Sequence, residues 1–300
     1  MERARSRLGV PLAFLILAEL YRAQPDQRLL SQSERALDFM LRHDGMHITG
    51  GRGQCEIWTD DQDGRGDLGE TCATAYQLRV YDSLLRLRGE ARLGDLIERT
   101  IFNALFAAQS PDGRRPRYFA PTEGPRADWT TDTYCCPCNH RRIVAELPAM
   151  VCYRTQAGLA LNLYAPAQAK LSVTGDVTLV VRQETDYPDS GRLLLRLDPS
   201  RPVTFPLQLR VPTWAQDVTV SVNGPALPMR GICWDSWRKT SGRPGAASWS
   251  ADAPAPCSCT TRWRQSPGSA FESGGRVLPV RSWPSWYRPC VEFVRNLVGP

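Results

Sequence analysis

The chain has 300 residues, which is enough for two domains with separate hydrophobic cores. Apolar residues make up 42% and charged residues 23%, an ordinary globular composition that excludes a disordered chain. The net charge is +6, but residues 230–300 hold 10 basic and 4 acidic side chains and so carry the whole excess. The neutral remainder argues against a protein that binds the phosphate backbone of nucleic acids.

The first predicted helix covers residues 9–23. Its apolar run follows a short stretch rich in arginine and therefore imitates a signal peptide. Glu19 and Arg22 interrupt the run, and no cleavage site between small residues follows it. We therefore favour an amphipathic or buried helix in a cytoplasmic protein. The run is too short to span a bilayer, so no membrane partner is predicted.

Helical periodicity continues through the first half of the chain. Four further helices are predicted, over residues 31–42, 70–87, 93–108 and 139–152. We expect Ser31 or Ser33 near the start of the first of these, and Asn139 as the cap of the last. Long irregular stretches cover residues 49–69 and 109–138. Such loops in compact domains are usually functional, so we expect the chemistry there.

The pattern changes near Gly158, where apolar residues begin to alternate with a period of two. Six strands are predicted, over residues 159–164, 170–174, 177–182, 192–197, 203–211 and 218–222. Turn residues separate them at regular intervals, which predicts an antiparallel sheet or sandwich. Asn223-Gly224 is a strong signal for a two-residue hairpin turn, so a partner strand should follow it.

From about residue 225 the composition changes, and neither helical nor strand periodicity holds. Six of the nine tryptophans fall in the last 71 residues. An irregular extension is one interpretation; we favour the hypothesis that this segment is an out-of-frame translation of GC-rich DNA. We therefore divide the chain into a helical domain (1–155), an incomplete β domain (156–228) and an irregular tail (229–300).

Two short cysteine clusters stand out, and they are Gly69-Glu70-Thr71-Cys72 and Cys135-Cys136-Pro137-Cys138-Asn139. Together they offer one carboxylate and up to four thiolates, a set that suits a tetrahedral Zn²⁺. Gly69 supplies a break at which Glu70 and Cys72 converge if they lie at the start of a helix. A helix N-terminus also favours the ionised forms of both side chains. Cys135 and Cys136 share one ion only if the chain bends sharply there, which the following proline favours.

The ten cysteines leave more than one interpretation open. Their clustering favours metal ligation or a reduced compartment over a secreted protein linked by disulfides. A closed set of four ligands is by itself more typical of a structural zinc than of a catalytic one. Glu56, taken alone, is typical of a solvated carboxylate in a loop.

The stretch from about residue 50 to residue 138 resembles glycoside hydrolase family 127, the β-L-arabinofuranosidase-like family. The residues that carry the resemblance are Gly50-Gly51, Cys55-Glu56, Gly69-Glu70-Thr71-Cys72-Ala73 and Cys135-Cys136-Pro137-x-Asn139. The resemblance implies an (α/α)₆-barrel catalytic domain followed by an antiparallel β-sandwich, both partial here. We expect the first half of the barrel to be missing before Met1 and the sandwich to be truncated.

The resemblance also implies a retaining glycoside hydrolase that acts at the non-reducing end of a carbohydrate. The implied zinc ligands are Glu70, Cys72, Cys135 and Cys136. Cys135 resembles the nucleophile, and Glu56 resembles the general acid/base. Tyr118 resembles a tyrosine that the family places near the nucleophile, and Trp58 is a candidate for stacking on a sugar ring.

In the implied mechanism Glu56 protonates the leaving oxygen while Cys135 attacks to form a thioglycoside, and Glu56 then deprotonates water. The chain departs from the family pattern at Cys138, where a proline is expected, and the added thiol could compete for the metal. The rival hypothesis is a non-catalytic, zinc-stabilised carbohydrate-binding or scaffold protein.

Overall fold

The structure is a computed structural model. It describes residues 6–7, 9–42, 46–53, 57–58, 68–127, 135–155, 158–174, 176–215, 218, 220 and 258–262. The chain divides between Leu147 and Pro148 into a helical unit and a unit of β-strands. This order, helices first and strands afterwards, is the one that the change of periodicity near Gly158 predicts.

The described part of the helical unit contains five α-helices. They are α1 (Gly9–Ala23), α2 (Gln27–Arg42), α3 (Thr71–Arg88), α4 (Ala91–Thr100) and α5 (Cys135–Glu146). Helix α4 continues through a π-helical turn, Ile101–Leu105, and a 3₁₀ turn, Phe106–Ala108. A 3₁₀ turn, Leu147–Met150, follows α5. Two short strands, β1 (Ser6–Arg7) and β2 (Ile57–Trp58), pair antiparallel.

Helix α3 is the central helix of this unit, because it packs against α1, α4 and α5. Twelve of its 18 residues are buried, so it presents buried positions on most of its faces. It ends at Gly89, whose left-handed φ of 67° lets its N–H reach the carbonyl oxygen of Leu85 at 2.7 Å. The start of α3 therefore belongs to a helix that is packed on several sides.

Helix α2 begins at Gln27, four residues earlier than the sequence predicts. The reason is Asp26, whose Oδ1 accepts the backbone N–H of Arg28 at 2.9 Å and so caps the helix. Ser33, predicted near the cap, is instead buried and donates its hydroxyl to the Phe14 carbonyl oxygen at 2.9 Å. Ser33 thus joins α2 to α1.

Helix α5 also begins earlier than predicted, at Cys135 and not after an Asn139 cap. Pro137 lacks an N–H, but the N–H groups of the first turn have no partner within the helix, so proline is tolerated there. The helix ends at Glu146. Cys152, which the sequence places inside this helix, lies instead in a strand. The cysteine pair therefore opens a helix and does not sit in the loop before it.

The described part of the second unit contains two sheets. Its strands are β3 (Cys152–Arg154), β4 (Leu159–Leu161), β5 (Ala167–Thr174), β6 (Val177–Thr185), β7 (Leu193–Pro199), β8 (Thr204–Leu209) and β9 (Ser258–Arg262). One sheet has the order β3-β4-β8-β9 and the other the order β5-β6-β7. Strands β4 and β8 run parallel, so the expectation of purely antiparallel pairing is wrong at this pair.

A single apolar cluster takes residues from strands of both sheets. Its members are Leu159, Leu161, Val173, Val177, Leu179, Val181, Phe205 and Leu207. Strand β6 contributes three of them at alternate positions, because successive side chains of a strand point to opposite faces. Full burial of one such aliphatic side chain stabilises the fold by about 1.5–3 kcal/mol.

The predictions for the C-terminal part of the chain agree with the structure only in part. Val218 and Val220 are described and lie in no strand, although the sequence predicts one over residues 218–222. The Asn223-Gly224 hairpin lies outside the described residues. Within the predicted irregular tail, strand β9 pairs with β8. None of the described helices is both long enough and apolar enough to cross a membrane.

Candidate metal centre

The first part of the site is the start of helix α3. Gly69 has a φ of 66°, and a Cβ atom there would lie 3.0 Å from the carbonyl oxygen of Ala120, so glycine suits this turn. The turn places Glu70 at the N-cap position and Cys72 in the first helical turn, as the sequence predicts. Both side chains are buried: Glu70 is 0% exposed and Cys72 is 6% exposed.

The second part is the start of helix α5, which packs against α3. Cys135 is the first helical residue and is exposed, whereas Cys136 is 0% exposed. Consecutive helical residues point in directions about 100° apart, so neighbouring cysteines can differ this much in exposure while both lie near one point. The sharp bend that the sequence predicts at the cysteine pair is thus the first turn of a helix.

The starts of α3 and α5 bring three sulfur atoms together. The Sγ atoms of Cys72, Cys135 and Cys136 all lie within 4.8 Å of one another, so they could hold a metal ion. The Cys136 thiol donates to Cys72 Sγ at 3.1 Å, and Asn139 Nδ2 donates to the same sulfur at 3.3 Å. Because both helices begin here, their partial positive N-terminal charges favour a negative sulfur.

These hydrogen bonds give the three thiols different acidities. The thiol that Cys136 donates is the main reason why the pKa of Cys72 falls to about 7, against the opposing effect of burial. The Asn139 amide and the Cys135 thiol lower the pKa of Cys72 further, and the charge of Glu70 raises it. Donation to Cys72 raises the pKa of Cys136, and partial loss of water around its sulfur, followed by the negative charge of Cys72, raises that of the otherwise exposed Cys135. Cys72 is therefore the sulfur that ionises first in the metal-free cluster.

Tyr118 lies beside the cluster, on a segment that is bonded to the start of α3. The N–H of Thr71 donates to the Tyr118 carbonyl oxygen at 2.9 Å, and Thr71 Oγ1 donates to that of Arg117 at 2.6 Å. Burial, followed by the negative charge of Glu70 and then of the cluster sulfurs, raises the pKa of Tyr118. Its phenol therefore stays protonated and can act as a hydrogen-bond donor.

The segment Gly50–Gly53 passes beside Glu70. The Glu70 N–H donates to the Gly53 carbonyl oxygen at 3.2 Å. Gly53 has a φ of 83°, and a Cβ there would lie 2.7 Å from the Cβ of Ala73 and 3.6 Å from Glu70 Oε2. Glu56 and the side chain of Trp58 lie outside the described residues, and their roles stay predictions.

Buried polar side chains that the sequence did not single out hold this segment. Gln77 Nε2 and Thr100 Oγ1 donate to the Gly50 carbonyl oxygen at 3.1 and 3.2 Å. Gln77 is 1% exposed and Thr100 is 0% exposed. Polar residues within helices usually face solvent, so no local signal marks these two.

Asn139 is a further site residue that the sequence misassigns, as a helix cap. It is 5% exposed and bonds to Cys72. Its place three residues after Cys136 is the signal that could have found it, because residues three apart share one face of a helix. Cys138 is half-buried, and its sulfur lies outside the set of three that meet.

Two domain models of one family match this chain. The model of the β-L-arabinofuranosidase GH127 catalytic domain matches residues 10–149, which include the whole cysteine site. The model of the GH127 middle domain matches residues 158–233, which include strands β4 to β8. Both units of the chain therefore match successive domains of the same family.

Individual proteins with these family names are also similar to the chain in sequence and in fold. The chain is 25% identical to the non-reducing end β-L-arabinofuranosidase of Bifidobacterium longum, over 69% of this chain and 35% of that protein. The crystal structure of a GH127 β-L-arabinofuranosidase from Geobacillus stearothermophilus T6 has the same fold, with a TM-score of 0.68 at 24% identity over 78% of this chain and 40% of that one. A structure of another GH127 β-arabinofuranosidase gives a TM-score of 0.63 at 25% identity, over 76% and 39%.

The chain thus spans between 35% and 40% of the length of these relatives. The two matched domain models together cover most of the described residues. The two cysteine motifs, which carry part of the resemblance, meet at the starts of α3 and α5. The chain belongs to glycoside hydrolase family 127, the β-L-arabinofuranosidase family.

Proposed function

We propose that this chain acts as a retaining glycoside hydrolase that removes β-L-arabinofuranose from the non-reducing end of a carbohydrate. The observation that carries the proposal is the meeting of Cys72, Cys135 and Cys136 beside the buried Glu70. The substrate class comes from the names of the relatives.

The metal proposed for this site is Zn²⁺, which Glu70, Cys72, Cys135 and Cys136 would hold. Tetrahedral zinc with Zn–S bonds near 2.3 Å separates two sulfurs by about 3.8 Å. The three sulfurs here lie within 4.8 Å of one another, with Cys136 and Cys72 at 3.1 Å, so small side-chain shifts would bring them to that spacing. Glu70 lies outside the set of three sulfurs that meet, but its charge raises the pKa of Cys72, and we propose that its carboxylate would supply the oxygen ligand. When bound, Zn²⁺ supplies the positive charge that keeps the sulfurs ionised at neutral pH.

Cys135 is the nucleophile, because it is the exposed member of the cluster. Cys72 is 6% exposed and Cys136 is 0% exposed, so neither sulfur offers a substrate the same access. The Cys135 sulfur attacks the anomeric carbon and holds the sugar as a thioglycoside. Tyr118 binds substrate as a protonated phenol, which its raised pKa supports.

Glu56 is the general acid/base. It follows the Gly50–Gly53 segment, which Gln77 and Thr100 hold beside Glu70. Its carboxylic acid protonates the departing oxygen, and its carboxylate then takes a proton from the water that releases the sugar from sulfur. Trp58 offers an aromatic face to the sugar.

At the level of the fold, residues 1–155 form part of an (α/α)₆ barrel and residues 156–228 part of a β-sandwich. The packing of successive helices around α3 supports the barrel. The apolar cluster that strands of both sheets share supports the sandwich. The division of the chain between Leu147 and Pro148 lies close to the proposed boundary.

A second candidate function is a non-catalytic, zinc-stabilised carbohydrate-binding or scaffold protein. The burial of Cys72 and Cys136 favours it, since closed sulfur-rich zinc sites are usually structural. The two candidates share the metal and differ in whether Cys135 and Glu56 react.

Metal analysis together with hydrolysis of an aryl β-L-arabinofuranoside by the zinc-supplemented chain separates the candidates. The glycosidase proposal expects about one zinc per chain and release of the aryl group. Glu56→Gln should keep the zinc and stop hydrolysis, whereas Cys152→Ser should change neither. Bound zinc without any hydrolysis would favour the binding protein, and absence of zinc would contradict both candidates.

A further inference from the structure

The first turn of α5 carries a thiol that the proposed hydrolysis does not use. Cys138 lies three residues after Cys135, and both belong to this helix. The Cys138 sulfur lies outside the set of three that meet at the candidate metal centre. Residues three apart on a helix share one face, with Cβ atoms about 5–6 Å apart. A small adjustment in the first turn brings that separation to the roughly 3.5–4.5 Å that a disulfide spans.

Exposure distinguishes these two thiols from the others at the site. Cys135 is exposed and Cys138 is half-buried, whereas Cys72 and Cys136 are 6% and 0% exposed. Arg141 Nη2 donates to Cys138 Sγ at 3.8 Å. Cys135 thus combines a helix N-terminus with access from solvent, and Cys138 combines the same first turn with a nearby cation, features that reactive cysteines share.

We propose that Cys135 and Cys138 form a reversible redox pair, in which Cys138 captures the oxidised form of Cys135. The inference rests on the reactive, accessible Cys135 of the proposed function. A peroxide transfers one oxygen atom to the Cys135 thiol, which gives a sulfenic acid and one water. The Cys138 thiol attacks that sulfur and expels a second water, so that the two sulfurs end as a disulfide. A dithiol reductant restores both thiols and itself becomes a disulfide.

The disulfide has two consequences for the site. It occupies the sulfur that serves as nucleophile, and it withdraws one of the proposed zinc ligands. It also keeps Cys135 from the sulfinic acid, a state that dithiols do not reverse. The pair therefore switches the site off under peroxide and allows it to recover.

The competing pair is Cys72 and Cys136, whose sulfurs lie 3.1 Å apart. Both are buried, so a peroxide in solution meets Cys135 first. Differential labelling of the full zinc-supplemented chain distinguishes the pairs. After treatment with hydrogen peroxide, free thiols are blocked with one reagent, disulfides are reduced, and the released thiols receive a second reagent. Peptide fragmentation then locates the second label.

We expect the second label on Cys135 and Cys138, loss of zinc on oxidation, and return of zinc after reduction. In Cys138→Ser we expect Cys135 to accumulate as sulfinic acid and its recovery by dithiol to be lost. Cys152→Ser should behave as the unaltered chain. A second label on Cys72 and Cys136, or equal recovery of Cys135 with and without Cys138, would overturn the proposal.

The same experiment keeps this inference separate from the proposed function. If the untreated chain binds zinc and hydrolyses the arabinofuranoside but forms no disulfide between Cys135 and Cys138, only the redox pair fails. If the disulfide forms in a chain that never hydrolyses the substrate, only the glycosidase proposal fails.

Discussion

The surroundings of the candidate metal centre and the apolar cluster of the strand unit bury different kinds of side chain. Around the starts of α3 and α5 many of the buried side chains are polar, and they include Glu70, Thr71, Thr74, Gln77, Asn139 and His140. The cluster shared by the two sheets is wholly apolar. Burying a polar group costs free energy unless it is paired, whereas burying an aliphatic group stabilises the fold. The candidate metal centre thus gathers buried polar groups, whose burial costs free energy unless each is paired.

Buried polar groups of the strand unit have a different role. Asn162 Nδ2 donates to the Met150 carbonyl oxygen at 3.0 Å, and Arg210 Nε donates to that of Asn162 at 2.6 Å. Both satisfy backbone acceptors near strand ends, as buried polar groups in a structural role do. In the helical unit, by contrast, Asn139 donates to a cysteine sulfur. A buried amide bonded to sulfur is therefore specific to the candidate metal centre among these examples, although Gln77 and Thr100 nearby also donate to a backbone carbonyl oxygen.

The largest effect that tests this contrast should come from the proposed metal ligands. Cys72→Ser should abolish zinc binding and destabilise the helical unit by several kcal/mol, since zinc binding contributes about 10 kcal/mol or more to folding in small zinc domains. Metal analysis and amide hydrogen exchange measure the result. Amides of α3 and α5 should lose protection while those of β5 and β6 keep theirs, and Cys152→Ser is the control. Equal loss of protection in both units would argue against the contrast.

A shortened core side chain in the strand unit should destabilise the fold and leave zinc binding unchanged. Leu179 is 0% exposed, so Leu179→Ala should cost about 2–5 kcal/mol of unfolding free energy, because it leaves a cavity in the apolar cluster. Zinc content should not change. Leu194, on the neighbouring strand and 40% exposed, gives the matched control, for which a change within about 0.5 kcal/mol is expected. Urea unfolding compares the two, and loss of zinc in Leu179→Ala would contradict the prediction.

His140 should make the stability of the helical unit depend on pH. Burial lowers its pKa from 6.5 to about 4, partly opposed by a hydrogen bond to the Leu105 backbone. The unfolded chain therefore binds the extra proton first as the pH falls. The stabilisation is present above pH 6.5 and is lost on the way down to pH 4, by about 2–3 kcal/mol.

Unfolding experiments across this pH range measure that loss. His140→Gln should flatten the dependence between pH 6.5 and pH 4, whereas Arg142→Gln, at an exposed position of the same helix, should leave it unchanged. An unaltered slope in His140→Gln would show that another group is responsible.

The smallest effect should come from the ion pair that joins α3 to α5. Arg79 Nε and Nη2 contact the Glu146 carboxylate at 2.8 and 2.9 Å, with side-chain exposures of 15% and 43%. A double-mutant cycle with Arg79→Met and Glu146→Gln should give about 0.5–1 kcal/mol, decreasing with salt. The pair Arg86 and Asp82, within α3, is the control and should give about 0.3–0.5 kcal/mol. A coupling no larger than that of the control would mean that the pair does not help to align the two helices.

Local sequence patterns predicted much of the fold, because the spacing of apolar residues and the positions of glycines influence secondary structure within a few residues. The helix that ends at Gly89 and the change from helices to strands near Gly158 follow from these patterns. The predicted helix boundaries are wrong where one residue suits two different local structures. Asp26 ends one helix pattern and caps the next, and Pro137 reads as a bend although the first turn of a helix tolerates it.

The parallel pairing of β4 with β8 could not be predicted in the same way. Alternation of apolar residues predicts that a segment is a strand and which side chains share a face. It carries no information on the partner or on the direction of that partner. Strand β8 lies beside β4 through contacts between residues about 48 positions apart, such as Leu159 with Leu207.

The sequence by itself determined which residues offer sulfur and carboxylate, and that Gly69 opens a helix with Glu70 and Cys72 at its start. Only the tertiary structure decided which sulfurs meet, which one faces solvent and which polar groups surround them. The physical reason is distance along the chain: Cys72 and Cys136 are 64 residues apart and come together only because α3 packs against α5. Donor chemistry is a property of each side chain, whereas a shared site is a property of the packing that joins them.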